Sequence, residues 1–185
     1  MEKQHTNSNL ISDLKNSDFL YLDGDLKFLK PYAHSVSIIK GQRFIYLDPK
    51  QMAFSLEQFI KVLIFLKTCE NGSIHFLVDN KYQLNIIKSF LRANPISIPC
   101  TVSDSFSKAT VKRNGTQFLI SLKPFEDSKA IWNRLFENNI FLVAKVNTKN
   151  ETSNFGAYKI YNNLSTFNKL IFFLNLIKTS LSIKI

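Results

Sequence analysis

Glycine, cysteine and arginine are scarce in this 185-residue chain, and each scarcity narrows what the protein can be. None of its five glycines belongs to a G-x-G-x-x-G or G-x-x-x-x-G-K motif, so the clustered glycines that cradle nucleotide phosphates are missing. The two cysteines, Cys69 and Cys100, form no C-x-x-C pair and are typical of a reducing compartment. We therefore expect neither a metal site nor a bound cofactor.

Long apolar segments and targeting signals are also missing. The polar start, residues 1–6, has no apolar stretch and no arginine-rich amphipathic pattern, which predicts neither a secretory signal nor a transit peptide. The most apolar segment, residues 164–183, contains two lysines and two asparagines and is too polar to span a lipid bilayer. We expect no membrane span, and we expect this segment to be a helix packed on a sheet.

What the chain does contain is a globular composition with a strong positive charge. Hydrophobic residues make up 45% and charged residues 21%, which predicts one domain with a substantial core. The net charge of +10 indicates a polyanionic partner, and we favour nucleic acid over an acidic membrane or no such partner. The 20 lysines greatly outnumber the four arginines, a skew that an A/T-rich gene also produces, so lysine is the weaker indicator of a charge-driven design.

Two strand–helix–strand patterns predict the fold. The first joins strands at residues 42–48 and 73–79, and the second joins strands at residues 117–122 and 140–148. Short apolar strands that alternate with helices predict an α/β three-layer sandwich with a mainly parallel, flavodoxin-like sheet and helices on both faces. Sheets of this kind usually carry their function at the carboxyl ends of the strands.

The remaining chain divides into a lead-in and one domain. We expect a flexible lead-in over residues 1–27, of which residues 1–17 are polar and loose. We expect irregular structure over residues 18–41. A single domain over residues 28–185 follows, with a basic loop at residues 103–116. Pro99 interrupts an apolar run and predicts an edge strand or an irregular strand there.

Polar residues ahead of apolar runs predict where helices begin. Ser55 with Gln58, and Asn80 with Gln83, both match a capping box, so we expect helices to start at Ser55 and Asn80. Helical spacing predicts a final helix over residues 165–180, and its expected core face consists of Phe167, Leu170, Ile171, Leu174 and Ile177.

Five segments, taken in chain order, resemble those of one known family. They are Lys30-Pro31-Tyr32 with Phe44 to Asp48, Gly72 to Gln83, Phe118 to Ile131, Asn139 to Thr148, and Tyr161-Asn162-Asn163 before the closing helix. They are similar to the segments "K-P-Y-I … I-I-D-L", "G-x-x-L-F-V-G-T-K-K-Q", "L-x-x-V-x-D … A-I-x-E-A", "G-I-P-V-I-A-L-V-D-T-N" and "I-P-G-N-D-D-x-x-x-x-I". These belong to the bacterial and organellar ribosomal small-subunit protein S-two family, and the similarity spans residues 28–180.

The chain also departs from that family. The family's "G-x-H-F-G-H" and "W-L-G-G-T-L-T-N" elements are not recognisable near residues 20–27 and 103–112. The basic loop at residues 103–116 stands where the family has a long helical hairpin, and Asp79-Asn80 replaces Gly-Thr before Lys81.

The resemblance implies a structural, non-enzymatic role. It implies a shortened constituent of the small subunit of an organellar ribosome, with small-subunit ribosomal RNA and neighbouring ribosomal proteins as partners and no small-molecule substrate. We expect the mitochondrial matrix as its location, with an organelle-encoded gene as one option. Two alternatives stay open: a free-standing RNA- or nucleotide-binding module with a flavodoxin-like fold, and an enzyme on that fold that uses Asp48 or Asp79.

Basic residues near predicted loops and strand ends are the expected RNA contacts. They are Lys30, Lys40, Arg43, Lys81, Lys108, Lys112, Arg113, Lys123, Lys145 and Lys149. In the basic loop, hydroxyl and amide side chains lie between the cations and offer further donors to phosphates, and Phe106 offers a ring for base stacking. The alternative for this loop is a solvated linker.

Residues that suggest other chemistry have simpler explanations. Asp48 and Asp79 follow predicted strands and are compatible with a metal or phosphoacceptor site, but we favour capping or turning of the chain. We expect His75 to be a core residue with a hydrogen-bond partner and Cys100 to be a packing residue. Trp132 is either a base-stacking residue or, as we favour, a packing anchor.

Overall fold

The structure is a computed structural model and describes residues 2–23, 33–39, 42–109, 115–123, 129–146, 158–160, 164 and 166–182. Its helices are α1 (Glu2–Lys15), α2 (Pro49–Leu66), α3 (Lys81–Ala93), α4 (Phe106–Ala109), α5 (Lys129–Glu137) and α6 (Phe167–Ser182), with a 3₁₀ turn at Asp18–Leu20. Its strands are β1 (Tyr21–Asp23), β2 (Ala33–Ile39), β3 (Gln42–Leu47), β4 (Ser73–Leu77), β5 (Cys100–Ser103), β6 (Gln117–Ser121), β7 (Ile140–Val146) and β8 (Tyr158–Ile160).

Five of these strands form one parallel sheet in the order β5-β4-β6-β7-β8, and all four pairings in it are parallel. Numbered along the chain from β4, this order is 2-1-3-4-5, which is the flavodoxin-like arrangement. β5 is an edge strand in this order and begins just after Pro99, as predicted. The predicted α/β sandwich is confirmed.

Alternation along the strands directs side chains to two separate cores. Ile74 and Phe76 of β4, with Phe118 and Ile120 of β6, join a large cluster that also contains buried residues of α2, α3 and α6. On the opposite face, a small cluster contains Leu77, Leu119 and Ile140 of the sheet and Leu135 of α5. Helices therefore cover both faces, which makes three layers.

The first predicted strand lies in a different sheet from the one expected. β3 is the central strand of a three-stranded antiparallel sheet in the order β1-β3-β2. Both of its edges are hydrogen-bonded to these neighbours, so β3 has no free edge to offer to the parallel sheet. The prediction that residues 42–48 begin a parallel strand–helix–strand unit is therefore wrong. The second predicted unit is confirmed, since β6 and β7 are parallel neighbours joined through α5.

The N-terminal segment is also more regular than expected. Where we predicted a loose polar stretch, α1 places Leu10 and Leu14 in the large cluster, because residues four apart lie on one face of a helix. Ser17 then caps the 3₁₀ turn, whose Phe19 and Leu20 are buried. Residues 18–41, which we expected to be irregular, contain β1 and β2.

The N-cap of α2 lies seven residues before Ser55, the predicted cap. Asp48 is its N-cap, with Oδ1 accepting a hydrogen bond from the Lys50 backbone N–H at 2.8 Å. Pro49 occupies the first turn, where its missing N–H costs no hydrogen bond. Ser55 thus lies inside the helix and caps nothing. The residue that directly follows β3, Asp48, is therefore the cap of the next helix.

α6 packs on the large cluster. Its Phe173 ring stacks on Phe59 of α2 with centroids 5.6 Å apart, and both rings are fully buried. Lys169, which is also buried, donates a hydrogen bond to the backbone carbonyl of Tyr21 in β1. Phe167 was expected on the core face but is 54% exposed. In the part of the chain that the structure describes, no helix is long and apolar enough to cross a membrane.

Candidate functional site at the carboxyl edge of the parallel sheet

The connections after β4 and after β6 lead to opposite sides of the parallel sheet. After β4, α3 packs on the large cluster and leads to β5 on one side, whereas after β6, α5 packs on the small cluster and leads to β7 on the other side. The two connections diverge at neighbouring carboxyl ends. In open α/β sheets this switch point is where ligands bind. The carboxyl ends of β4, β5 and β6, together with the residues that follow each strand, are here called the carboxyl edge.

A two-way cap shapes the end of β4. The Asn80 side chain accepts a hydrogen bond from the Gln83 backbone N–H at 2.9 Å, and the Gln83 side chain accepts one from the Asp79 N–H at 3.1 Å. The predicted start of α3 at Asn80 is confirmed, although Gln83 reaches back to Asp79 and not to the cap residue itself. Asp79, Asn80 and Lys81 are consequently held exposed at the carboxyl edge.

The end of β6 carries a lysine that reaches across the edge. Leu122 N–H donates to the Leu77 carbonyl at 2.7 Å and extends the pairing with β4, and the Ser121 hydroxyl donates to the Lys123 carbonyl at 2.7 Å. These bonds fix the backbone of Lys123, whose ammonium donates to the Asp104 carbonyl at 3.2 Å, just after β5. An ammonium has three donors, so the half-buried Lys123 has donor capacity beyond this bond.

A buried histidine joins β4 to β5 beneath the edge. His75 is 2% exposed, its Nδ1 lies 2.7 Å from Thr101 Oγ1, and its Nε2 lies 2.8 Å from Ser103 Oγ. Because the Ser103 hydroxyl donates to the Ser105 carbonyl at 3.1 Å, we assign the ring proton to Nε2. The expectation of a core histidine with hydrogen-bond partners is confirmed.

The structure brings three of the predicted RNA-contacting cations to this one edge. Lys81, Lys108 and Lys123 follow β4, β5 and β6 respectively, with Lys108 exposed on α4. Two carboxylates, Asp79 and Asp104, are exposed on the same edge. Among the described residues of the edge, three cations and two carboxylates therefore lie side by side.

The other predicted cations are placed differently. Lys145 lies opposite Ser121 in the pairing of β7 with β6, near the same edge, whereas Arg43 lies in β3 of the antiparallel sheet. The remaining five lie outside the described residues: Lys30, Lys40, Lys112, Arg113 and Lys149.

The two aspartates considered for catalysis lie at the starts of two different helices. Asp48 caps α2 next to the antiparallel sheet, and Asp79 lies in the capping turn of α3 at the parallel sheet. They follow strands of two different sheets, so no single sheet edge holds both. Among the residues that the structure describes, no three His, Cys, Asp or Glu side chains are grouped as a metal would require.

The remaining candidate side chains pack in the core. Burial raises the pKa of the Cys100 thiol to about 12, and this thiol donates to the Ile98 carbonyl at 3.3 Å. Trp132 contacts the small cluster, as we favoured. Phe106 also contacts that cluster and is half-buried. The reason is that α4 follows β5 closely and lies against the sheet.

Sequence reasoning missed two cations on α3. Lys88 and Arg92 are seven and eleven residues beyond Lys81 and lie on the same face of the helix. Both are exposed. Helical spacing applied to the polar positions of this segment would have found them.

Comparisons with known proteins identify no relative of the chain. No protein-family model matches it, and no curated protein gives a significant match. The link to the S-two family therefore consists of the five segments quoted above.

Proposed function

We propose that the chain is a structural protein of the small subunit of an organellar ribosome, specifically a mitochondrial one, and that it binds small-subunit ribosomal RNA. The observation that carries this proposal is the convergence of Lys81, Lys108 and Lys123 on one sheet edge, although they are far apart in sequence. The order of the five family-like segments and the net charge of +10 support the same role.

The chemistry of the carboxyl edge suits RNA backbone better than a base sequence. Ammonium groups attract phosphates without regard to sequence, and exposed or half-buried hydroxyls such as those of Ser105 and Ser107 add hydrogen-bonding capacity beside Lys108. Asp79 and Asp104 repel phosphates from their own positions on the edge. Attraction by the lysines and repulsion by the two aspartates would determine how a folded RNA lies along the edge, which is recognition by shape.

Exposed aromatic side chains support contacts with neighbouring proteins. Phe54 and Phe65 project from the outer side of α2, and Phe136 at the end of α5 is 84% exposed. Aromatic residues are enriched at protein interfaces, where burial of one ring contributes substantially to binding. A ribosomal protein inserted among other proteins would cover these rings.

The test is sedimentation of a native organelle lysate on a sucrose gradient, with the chain followed by mass spectrometry at low and high salt. The proposal requires that the chain migrate with the small ribosomal subunit at both salt concentrations. Migration as a small free species at both would overturn it. The purified chain, run alone on a parallel gradient, marks the position of the free species.

A second candidate function is a free-standing nucleotide-binding module. The switch point between β4 and β6 favours it, because flavodoxin-like folds bind cofactors there. A ligand that binds only the folded state raises its stability in proportion to the logarithm of ligand concentration. Thermal unfolding with mono- and dinucleotides is therefore the test, and an unchanged midpoint with every nucleotide would exclude this candidate.

A further inference from the structure

The exposed face of α3 is a continuous row of positive charge. At 100° per residue, Lys81, Lys88 and Arg92 lie within an arc of about 40° around the helix axis. The buried residues Gln83 and Ile87, together with Phe90, are on the opposite side. The three exposed cations are called the α3 row. Their position directly opposite the buried stripe points them away from the body of the protein.

This charge is unbalanced within the helix. α3 contains no aspartate or glutamate, whereas α2 has Glu57 four residues before Lys61, an arrangement in which opposite charges attract. Lys88 and Arg92 are themselves four residues apart and repel each other. Lys81 stands in the first turn, where the helix dipole disfavours a cation. An anion along this face would offset both the repulsion between Lys88 and Arg92 and the unfavourable interaction of Lys81 with the helix dipole.

Polar neighbours extend the same face. Asn85 lies between Lys81 and Lys88 along the helix. Tyr82, which is 49% exposed, and Ser89, seven residues after it, flank these cations. The face combines cations, an amide, a hydroxyl and one aromatic ring, which is the usual composition of an RNA-contacting surface.

We propose that the α3 row binds the sugar–phosphate backbone of RNA, with the strand running along the helix axis. The inference rests on the proposed function and extends it to residues that no motif identified. Eleven residues at 1.5 Å each separate Lys81 from Arg92, so the row is roughly 16 Å long and can contact about three successive phosphates. An anionic membrane is the less suitable partner, because the row offers no apolar stripe for insertion.

The test measures binding of the full chain to transcribed small-subunit ribosomal RNA by fluorescence anisotropy, in a salt series from about 50 to about 300 mM. The row variant carries Lys81→Gln, Lys88→Gln and Arg92→Gln. The matched control carries Lys50→Gln, Lys61→Gln and Arg134→Gln, three exposed cations on α2 and α5. Both variants lower the net charge from +10 by three, to +7, so overall charge is the same in the two.

For the row variant we expect the negative slope of log K against log salt to become shallower by about 2. Binding near 0.1 M salt should be roughly 10- to 100-fold weaker. The control should bind within about threefold of the unmodified chain, since its cations do not face the RNA and are screened. Unfolding by urea checks that both variants fold, and the row variant should be at least as stable as the unmodified chain because it loses mutual repulsion.

The outcomes separate this inference from the proposed function. Equal losses in the two triple variants would overturn the α3 row while leaving ribosomal RNA binding intact. If the unmodified chain does not bind the RNA at all, both proposals fail. Stronger binding of the chain to vesicles with acidic lipid than to RNA would likewise overturn the assignment of the row to RNA.

Discussion

His75 and Ser103 are hydrogen-bonded side chain to side chain, with 2.8 Å between Nε2 and Oγ, and they connect the neighbouring parallel strands β4 and β5. The Ser103 hydroxyl in turn donates a hydrogen bond to the Ser105 carbonyl, at the turn into α4. One buried imidazole thus links the strand interior to the residues that form the carboxyl edge. These side-chain hydrogen bonds stabilise the edge in addition to the backbone hydrogen bonds between β4 and β5.

The first prediction concerns this network. His75→Phe keeps an aromatic ring in the core but removes the partner of Thr101 Oγ1 and Ser103 Oγ. We expect the free energy of unfolding to fall by about 1–3 kcal/mol, because buried hydroxyls lose hydrogen bonds. Urea denaturation measures this. The triple variant with Thr101→Val and Ser103→Ala should regain part of the loss, and a single variant as stable as the original chain would contradict the network.

The second prediction tests where α2 begins. Asp48→Ala removes the side chain that accepts from Lys50 N–H and should cost about 0.5–2 kcal/mol of unfolding free energy. Asp48→Asn, which can still cap, should cost much less. Ser55→Ala is the matched comparison, since the sequence pattern marked Ser55 as a cap and the structure does not. A larger loss for Ser55→Ala than for Asp48→Ala in thermal or urea unfolding would refute this assignment.

The third prediction compares two phenylalanines of α6. Phe173→Ala empties a fully buried site that stacks on Phe59, and we expect a loss of about 3–5 kcal/mol. Phe167→Ala truncates a ring that is more than half exposed and should change stability by no more than about 0.5 kcal/mol. The two variants remove the same atoms from one helix, so their difference in urea unfolding reports burial alone. Similar losses would show that the core face is assigned wrongly.

The fourth prediction concerns alkaline stability. Burial raises the pKa of Cys100 from 9.0 to about 12, so the folded state keeps a proton that the unfolded chain releases. The resulting stabilisation is complete below pH 9 and disappears as the pH rises towards 12. The fall in stability over this window should be smaller in Cys100→Ala.

Two comparisons complete this experiment. Cys69→Ala leaves the buried thiol in place and should keep the full alkaline decline of the unmodified chain. Tyr46, whose pKa is raised by burial and by the neighbouring Tyr21 and Asp48, contributes to the decline in every variant. Urea denaturation at about pH 8, 9 and 10, on both sides of the unfolded thiol pKa of about 8.5–9, provides the measurement. An unchanged decline in Cys100→Ala would show that the thiol titrates normally.

Local pattern was sufficient for much of the fold. Apolar runs and their spacing predicted β4, β6 and β7, and Asn80 with Gln83 predicted the start of α3. These elements depend on residues close together in the chain, so periodicity and capping chemistry determine them. The predicted edge strand after Pro99 has the same local cause.

The errors arose where distant residues decided the outcome. β3 has the apolar pattern of a parallel strand, but hydrogen bonds from β1 and β2 occupy both its edges. The sequence of α1 is largely polar, and the apolar side chains that contact the core, Leu10, Ile11 and Leu14, lie in its C-terminal half, so no clear helical pattern runs along the whole segment. Phe106 lies in a polar stretch, yet α4 packs it against the small cluster.

The sequence by itself determined the class of the protein: a basic α/β chain whose alternating strands and helices require a covered parallel sheet. Only the tertiary structure decided that Lys81, Lys108 and Lys123 share an edge and that His75 joins β4 to β5. The physical reason is that strand order depends on pairing between segments tens of residues apart. Hydrophobic periodicity records which face of an element is buried, but it does not record which strand lies beside it.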